Sequence, residues 1–187
     1  MFSLIKEIYS LCQKKPIKEI NVMIVGIDQS GKTYFQEYFT SMLQQKEVKQ
    51  IYDIRTIGVN TTKLPYADYQ MCLWDIGGSD SIRNVWKRYL NETNVILYCI
   101  DSSDEQRLNE SFTALSELML EDNRNLSVCV LLTKADILNK NVELAVESFA
   151  KQNEFIMSIK QISIMNNDGL VAELEDIAEW CIQYAKF

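Results

Sequence analysis

The chain has 187 residues, of which 47% are hydrophobic and 24% charged, so the composition predicts one globular domain and excludes a collagenous or disordered chain. It contains no histidine, which excludes a Ser-His-Asp triad, a Cys-His pair and a histidine-bound zinc site. The formal net charge of −7 disfavours a nucleic-acid partner, because phosphate backbones bind basic surfaces. The five cysteines form no CxxC pair, so we expect reduced thiols and a cytoplasmic location.

The N-terminal segment is predicted to be an amphipathic helix over residues 2–13, with Lys6 and Glu7 away from its apolar face. That face is formed by Leu4, Ile5, Ile8, Leu11 and Cys12. Such a helix either docks permanently on the domain or lies reversibly in a membrane interface, and the motifs described below favour the second interpretation. We place the helix segment at residues 1–15 and the domain at 16–187.

In the rest of the chain, short apolar runs rich in β-branched residues alternate with segments of helical period. Strands are predicted at 21–25, 71–74, 95–100, 128–132 and 161–164, and helices at about 31–45, 81–91, 104–121, 141–152 and 169–186. Val59–Tyr66 and Tyr69–Trp74 are predicted to form a β-hairpin. The alternation predicts an α/β fold, with a mostly parallel central sheet and helices on both faces.

A phosphate-binding loop is predicted directly after the first strand. Gly26–Thr33 fits the pattern GxxxxGK[ST], and a helix follows it, as the motif requires. In this motif backbone N–H groups surround phosphate oxygens, Lys32 reaches the β- and γ-phosphates, and Thr33 ligates Mg²⁺. The predicted nucleotide contacts of this phosphate loop and the helix after it are Gly26, Asp28, Gln29, Ser30, Gly31, Lys32, Thr33 and Tyr34.

The base that such a site selects is predicted from Thr133-Lys134-Ala135-Asp136, at the end of an apolar strand. The Asp136 carboxylate can accept hydrogen bonds from both N1–H and the exocyclic amine of guanine, and adenine offers no such pair of donors. We therefore expect GTP or GDP as the ligand, with Thr133, Lys134 and Asp136 on the base.

Two further segments are predicted to reach the metal and the γ-phosphate. Asp75 ends an apolar strand and can hold Mg²⁺ through water, while Gly78 can turn its N–H toward a γ-phosphate. Thr56 offers a second hydroxyl ligand, which is lost when the γ-phosphate leaves. The predicted metal site therefore consists of Thr33, Thr56 and, through water, Asp75.

These motifs resemble those of the ADP-ribosylation factor (Arf and Arf-like) family of small GTPases over nearly the whole chain. Gly26–Thr33 is similar to the family's GLDxxGKT, Thr56–Asn60 to TIGFN, and Trp74–Gly78 to WDxGG. Ile82–Tyr89 and Asp101–Asp104 are similar as well, and the Met-Phe start resembles the Arf-related-protein branch. The resemblance implies a P-loop NTPase small G domain.

The chain departs from the family pattern at four positions. Ser79 stands where the family has the glutamine that orients attacking water, so catalysis would rest on Ser79, Gly78 and Lys32, with slow hydrolysis. Thr133 replaces asparagine. Ile164 replaces the alanine whose backbone N–H meets the guanine O6, and Val59 replaces an aromatic that packs with the positions of Trp74 and Tyr89.

The resemblance implies a GTP-dependent switch in vesicle trafficking, which recruits effectors to endomembranes such as the Golgi. GTP would shift the Val59–Trp74 hairpin and release residues 2–13 to a membrane. The implied partners are an exchange factor, an activating protein and effectors, and we expect a monomer. A GTP-binding scaffold without hydrolysis stays open because of Ser79. A nucleoside or nucleotide kinase is disfavoured, because the chain has no arginine-rich lid segment.

Overall fold

The central element of the fold is a six-stranded sheet. The computed structural model describes residues 18–48, 56–165 and 170–187. The strands are β1 (Lys18–Val25), β2 (Val59–Tyr66), β3 (Tyr69–Ile76), β4 (Val95–Asp101), β5 (Val128–Thr133) and β6 (Ile156–Gln161). Their order in the sheet is β2-β3-β1-β4-β5-β6, and only the β2–β3 hairpin is antiparallel. The carboxyl ends of β1, β3, β4 and β5 therefore meet along one edge of the sheet.

Helices cover both faces of this sheet. They are α1 (Lys32–Leu43), α2 (Asp80–Arg83), α3 (Trp86–Tyr89), α4 (Leu108–Leu120), α5 (Lys140–Gln152) and α6 (Leu170–Tyr184), with 3-10 turns at Leu90–Glu92 and Ala135–Ile137. One core cluster joins the sheet to α1 and α6 through residues such as Phe39 and Leu174. A second cluster joins the opposite face to α3, α4 and α5 through Trp86, Leu115 and Val146. The α/β fold class predicted from the sequence is confirmed.

The central strands were predictable because both of their faces are buried. Every residue of Val95–Ile100 and of Val128–Thr133 is buried, so each strand is a continuous apolar run instead of an alternating one. The hairpin is also confirmed, with Tyr66 paired to Tyr69 across its two-residue turn.

Three predicted elements were wrong in position or extent. The predicted strand at 161–164 shares only Gln161 with β6, because β6 is an edge strand of half-buried and exposed residues and presents no apolar run. The predicted helix at 81–91 is divided into α2, α3 and a 3-10 turn. The helix predicted from 104 begins four residues later, since the Asp104 side chain accepts the backbone N–H of Arg107 before α4 starts.

The N-terminal segment 1–15, with its predicted helix over residues 2–13, lies outside the described residues, as does residue 169, where the last helix is predicted to begin. The boundary between residues 15 and 16 therefore stays a prediction. Across 18–48, 56–165 and 170–187, no helix is both long enough and apolar enough to cross a membrane.

Candidate nucleotide-binding site

The phosphate loop, Gly26–Thr33, connects β1 to α1 at the carboxyl edge of the sheet. Glycine is required at Gly26, because φ is +149° and a Cβ atom there would lie 2.2 Å from the carbonyl oxygen of Cys99 in β4. Gly31 has φ +78° and precedes the first residue of α1. The loop is thereby pressed against the neighbouring strand, with its backbone turned toward the edge where a phosphate would bind.

Lys32 lies under the phosphate loop, only 6% exposed. Its ammonium group donates to the carbonyl oxygen of Ile27 at 2.7 Å and contacts Ser30 Oγ at 3.4 Å. Burial lowers the pKa of Lys32, whereas the negative charge of nearby Asp75 acts in the opposite direction. A phosphate bound in the loop would supply the anionic partner that this buried ammonium group needs.

Exposure differs among the remaining predicted contacts of this region. Ser30 is buried and its hydroxyl donates to the Ile27 carbonyl at 2.8 Å. Gln29 is exposed in the left-handed region, with φ +65°, and Tyr34 is 39% exposed on the first turn of α1. Gln29 and Tyr34 therefore border the site, whereas Ser30 and Lys32 lie inside it.

Three oxygen-bearing side chains converge below the phosphate loop, as the metal prediction requires. Thr33 Oγ1 donates to Asp75 Oδ2 at 2.6 Å and lies 2.9 Å from Thr56 Oγ1, which is itself 3.4 Å from Asp75 Oδ2. These residues come from α1, β3 and the segment before β2, so three distant parts of the chain meet here.

This cluster fits Mg²⁺ by its chemistry. Asp75 is completely buried, and its Oδ1 has no hydrogen-bond partner within the described part of the chain. Burial raises the pKa of Asp75, although the hydrogen bond from Thr33 and the charge of Lys32 oppose the shift. Hydroxyl and carboxylate oxygens are hard ligands, and a divalent cation would satisfy the unpaired oxygen.

Gly77–Ser79, named here the closing loop, lies directly against the phosphate loop. The N–H of Asp28 donates to the Gly78 carbonyl at 3.1 Å, and a Cβ on Gly78 would lie 2.2 Å from the carbonyl oxygen of Gly26. The N–H of Gly77 donates to the Gly58 carbonyl at 2.9 Å. The two loops are thus in backbone contact, and only glycine at position 78 allows the backbones to approach this closely.

Ser79 begins α2 through its backbone. Its carbonyl accepts from the N–H groups of Ile82 and Arg83, at 2.8 and 3.1 Å. The hydroxyl makes no capping hydrogen bond and instead lies 3.3 Å from Ser81 Oγ. This half-buried side chain is therefore too short to reach an attacking water as a glutamine side chain would.

The predicted base-reading residues lie at the carboxyl end of β5. Thr133 is buried, and its Oγ1 lies 2.9 Å from the carbonyl oxygen of Ser30 and 3.1 Å from that of Ile100. Thr133 therefore connects the base-reading segment to the phosphate loop, through a contact that the sequence analysis did not anticipate.

Asp136 and Ile164 are brought to the same end of the sheet. Asp136 is exposed, and its Oδ1 accepts the hydroxyl of Ser163 at 2.9 Å. The N–H of Ala135 donates to the Ile162 carbonyl at 3.1 Å, which connects this segment to the one containing Ile164. The backbone of Lys134 is in the left-handed region, with φ +55°, and its ammonium group forms an ion pair with Asp101. The four predicted base contacts thus surround one region.

The packing expected around Val59 is present in a reduced form. Trp74 and Tyr89 make an edge-to-face contact with ring centroids 5.3 Å apart. Val59 is partly buried against the same core cluster. Val59 therefore contributes an aliphatic side chain to the cluster that contains this aromatic pair.

Sequence reasoning missed two residues that hold this site. The indole N–H of Trp86 donates to the Gly77 carbonyl at 2.9 Å and orients the closing loop. Gln36 is buried on α1 and donates to Thr62 Oγ1 at 2.7 Å, which ties the helix to β2. The sequence could have revealed Gln36, because a polar residue on the apolar face of a predicted helix indicates a buried hydrogen bond. No spacing rule relates Trp86 to Gly77.

The six-stranded sheet, its covering helices and the phosphate loop define a small G domain of the P-loop class. The family model "Arf: ADP-ribosylation factor family" matches residues 5–184, so the chain belongs to the ADP-ribosylation factor family. It is thus an Arf-family small GTPase and GTP-binding switch.

Individual relatives agree with this assignment. The chain is 30% identical to ADP-ribosylation factor-like protein 3 of Saccharomyces cerevisiae, over 97% of this chain and 92% of the relative. It is 32% identical to ADP-ribosylation factor-like protein 13B of Chlamydomonas reinhardtii over 73% of this chain, but spans only 25% of that longer protein. The Arl6 BBS3 small GTPase of Trypanosoma brucei, solved with the nucleotide analogue GppNp, shares the fold at TM-score 0.69 and 19% identity, with 89% and 99% of the chains covered.

Proposed function

We propose that this Arf-family protein binds GTP and GDP with Mg²⁺, hydrolyses GTP slowly and recruits effectors to endomembranes such as the Golgi. One observation carries the proposal. Thr56 precedes β2, yet its hydroxyl reaches the pair formed by Thr33 and Asp75. A segment held through that hydroxyl would be released when the γ-phosphate is lost, which is how a switch communicates its nucleotide state.

In this proposal the residues of the phosphate loop hold the nucleotide phosphates. Lys32 contacts the β- and γ-phosphates and Gly78 offers its N–H to the γ-phosphate. Mg²⁺, held by Thr33, Thr56 and, through water, Asp75, would neutralise charge that develops on the phosphates. Asp136 would select guanine, supported by Thr133, Lys134 and the backbone N–H of Ile164.

Slow hydrolysis is proposed from Ser79. The half-buried hydroxyl is engaged with Ser81, and it is about two methylenes shorter than the amide that orients water in related enzymes. Loss of one preorganised catalytic hydrogen bond typically lowers a rate about 10²–10³-fold. An activating protein could supply the missing group, so regulated hydrolysis stays compatible with slow intrinsic turnover.

Single-turnover GTP hydrolysis by the purified full chain tests this proposal. We expect slow hydrolysis of GTP and none of ATP, with about a 10²-fold gain for Ser79→Gln. Ser81→Gln is the matched control, because it adds the same amide two residues away on α2 and should leave the rate unchanged. A wild-type rate that Ser79→Gln leaves unchanged would contradict the role given to this position.

The alternative is a GTP-binding scaffold that does not hydrolyse, and Ser79 is the observation that favours it. It predicts tight GTP binding with no measurable turnover in the wild type. Detectable turnover in the wild type would exclude it.

Membrane recruitment is proposed through the apolar face of residues 2–13, with a membrane-protein receptor as a second signal, because one short amphipathic face is a marginal anchor. Vesicle co-sedimentation should be greater with a non-hydrolysable GTP analogue than with GDP, and a chain lacking residues 1–14 should lose the difference. Equal sedimentation in both nucleotide states would contradict the coupling between nucleotide and membrane.

A further inference from the structure

A closed ring of hydrogen bonds lies on the outer side of the phosphate and closing loops. It begins at Asp28, whose carboxylate accepts from Arg107 Nη2 at 2.7 Å and whose backbone carbonyl lies 3.1 Å from Arg107 Nη1. Arg107 comes from the segment just before α4, 79 residues further along the chain. The guanidinium group therefore binds both the side chain and the backbone of one phosphate-loop residue.

Glu110 continues the ring from α4. Its carboxylate accepts from Arg107 Nε at 2.9 Å and Nη2 at 3.1 Å, and it also pairs with Arg83. Hydrogen bonds from Arg107, and then from Arg83, lower the pKa of Glu110 to about 2, so this carboxylate is ionised at neutral pH. One carboxylate thus bridges two guanidinium groups, one from α2 and one from the segment before α4.

Arg83 completes the ring at the closing loop. Its Nε donates to the Gly78 carbonyl at 3.0 Å, and the same carbonyl accepts the backbone N–H of Asp28. The Arg83 side chain is only 17% exposed and lies 3.8 Å from Asp80 on the remaining side. The ring therefore returns to Asp28, and its four charged side chains are two carboxylates and two guanidinium groups.

We propose that Arg83, Glu110 and Arg107, named here the latch, hold the closing loop against the phosphate loop and thereby slow the release of a nucleoside triphosphate. The latch residues are positioning residues, since they bind the two loops and not the nucleotide. The inference rests on the proposed function, in which Gly78 faces the γ-phosphate.

The geometry gives the latch a selective effect on the triphosphate. Asp28 and Gly78 are the points at which the two loops meet, and both are bound by latch residues. The closing loop can move away from the phosphate loop only if the Gly78 carbonyl gives up the N–H of Asp28 and the ring also opens, either between Arg83 and Gly78 or between Arg83 and Glu110. A diphosphate does not reach the closing loop in this arrangement, so its release depends on the phosphate loop alone.

The test measures dissociation rates of fluorescent GTP-analogue and GDP from the full chain with Mg²⁺ present. Glu110→Gln keeps the side-chain volume and removes the charge, and Arg83→Lys keeps the charge but cannot bind the Gly78 carbonyl and Glu110 together. We expect each to release the triphosphate analogue about tenfold faster, with less than a threefold change for GDP.

A matched control is the ion pair between α3 and the residue that follows α4. Lys87 of α3 pairs with Glu121, just after α4, at 2.7 Å, without touching either loop. Glu121→Gln should leave both release rates unchanged. Thermal unfolding of all variants identifies a general loss of stability. If Glu110→Gln does not fold, the release rates of Arg83→Lys decide the test.

Each outcome decides between the proposals. Faster release of the triphosphate alone supports the latch. Equal acceleration of both nucleotides, or no change for either, overturns it while the wild type still binds guanine nucleotides. A wild type that binds neither guanine nucleotide overturns the proposed function itself, and the latch with it.

Discussion

The phosphate loop and the closing loop lie in backbone contact, yet they are held by different means. Inside the phosphate loop, Lys32 and Ser30 both donate to the Ile27 carbonyl, and contacts from distant segments at Gly26, Asp28 and Ser30 add to these hydrogen bonds. The closing loop is held by Arg83 and Trp86, and through Arg83 by a helix further along the chain. The phosphate loop thus combines internal hydrogen bonds with tertiary contacts, whereas the closing loop is held by side chains from outside it.

The largest expected effect comes from disturbing the phosphate loop at Gly26. Gly26→Ala would place a Cβ 2.2 Å from the Cys99 carbonyl, and backbone atoms of a central strand cannot move aside. We expect a loss of about 3 kcal/mol or more in unfolding free energy, measured by urea denaturation.

Gly58→Ala is the matched control for that substitution. Gly58 also has a positive φ, +92°, but no atom lies within 4 Å of its would-be Cβ. It should cost only about 1–2 kcal/mol, from backbone conformation alone. Equal losses at the two positions would contradict the claim that packing against β4 holds the phosphate loop.

Base selection is the next largest effect. Asp136→Ala should weaken GTP and GDP binding by at least ~2 kcal/mol, about 30-fold, because a charge-assisted pair of hydrogen bonds is lost. Asp136→Asn should shift preference toward xanthine nucleotides in the same titration, and Asp68→Asn in the hairpin turn should not. Unchanged guanine preference in both Asp136 variants would remove Asp136 from the site.

A smaller effect sharpens the role of tertiary contacts in the closing loop. Trp86→Phe removes the buried hydrogen bond to the Gly77 carbonyl and should lower unfolding free energy by about 1–2 kcal/mol. Trp180→Phe is the control, since its buried indole N–H has no partner among the described residues and its loss should cost less. Calorimetric unfolding of both variants measures the difference, and equal losses would contradict a specific role for the Trp86 N–H.

The smallest expected effect is a pH dependence of stability through Glu110. Its pKa in the fold is lowered to about 2 from an ordinary 4.5, so its ion pairs stabilise the protein above about pH 4.5. That contribution falls progressively as the pH drops from about 4.5 toward 2. The stability of Glu110→Gln should therefore fall less steeply with pH over this range, as measured by the thermal unfolding midpoint at each pH. An equal fall in the midpoint for the two proteins would contradict this prediction.

The difference between the loops also explains what could be predicted from the sequence. Buried strands such as Val128–Thr133 and the contiguous Gly26–Thr33 motif carry their signal in adjacent residues. The edge strand Ile156–Gln161 has no continuous apolar run, and its position follows from pairing with β5. Contacts such as Arg107 with Asp28 arise only when distant segments are packed together, so no local pattern predicts them.

The central claim is that Thr33, Thr56, Asp75 and Asp136 belong to one Mg²⁺-dependent guanine-nucleotide site. The most direct measurement is a titration of the purified full chain with fluorescent GTP, GDP and ATP, with Mg²⁺ and then with a chelator. The account predicts binding of GTP and GDP, no comparable binding of ATP, and weaker binding of GTP once Mg²⁺ is removed. Equal affinity for ATP and GTP, or GTP binding that is indifferent to Mg²⁺, would contradict it.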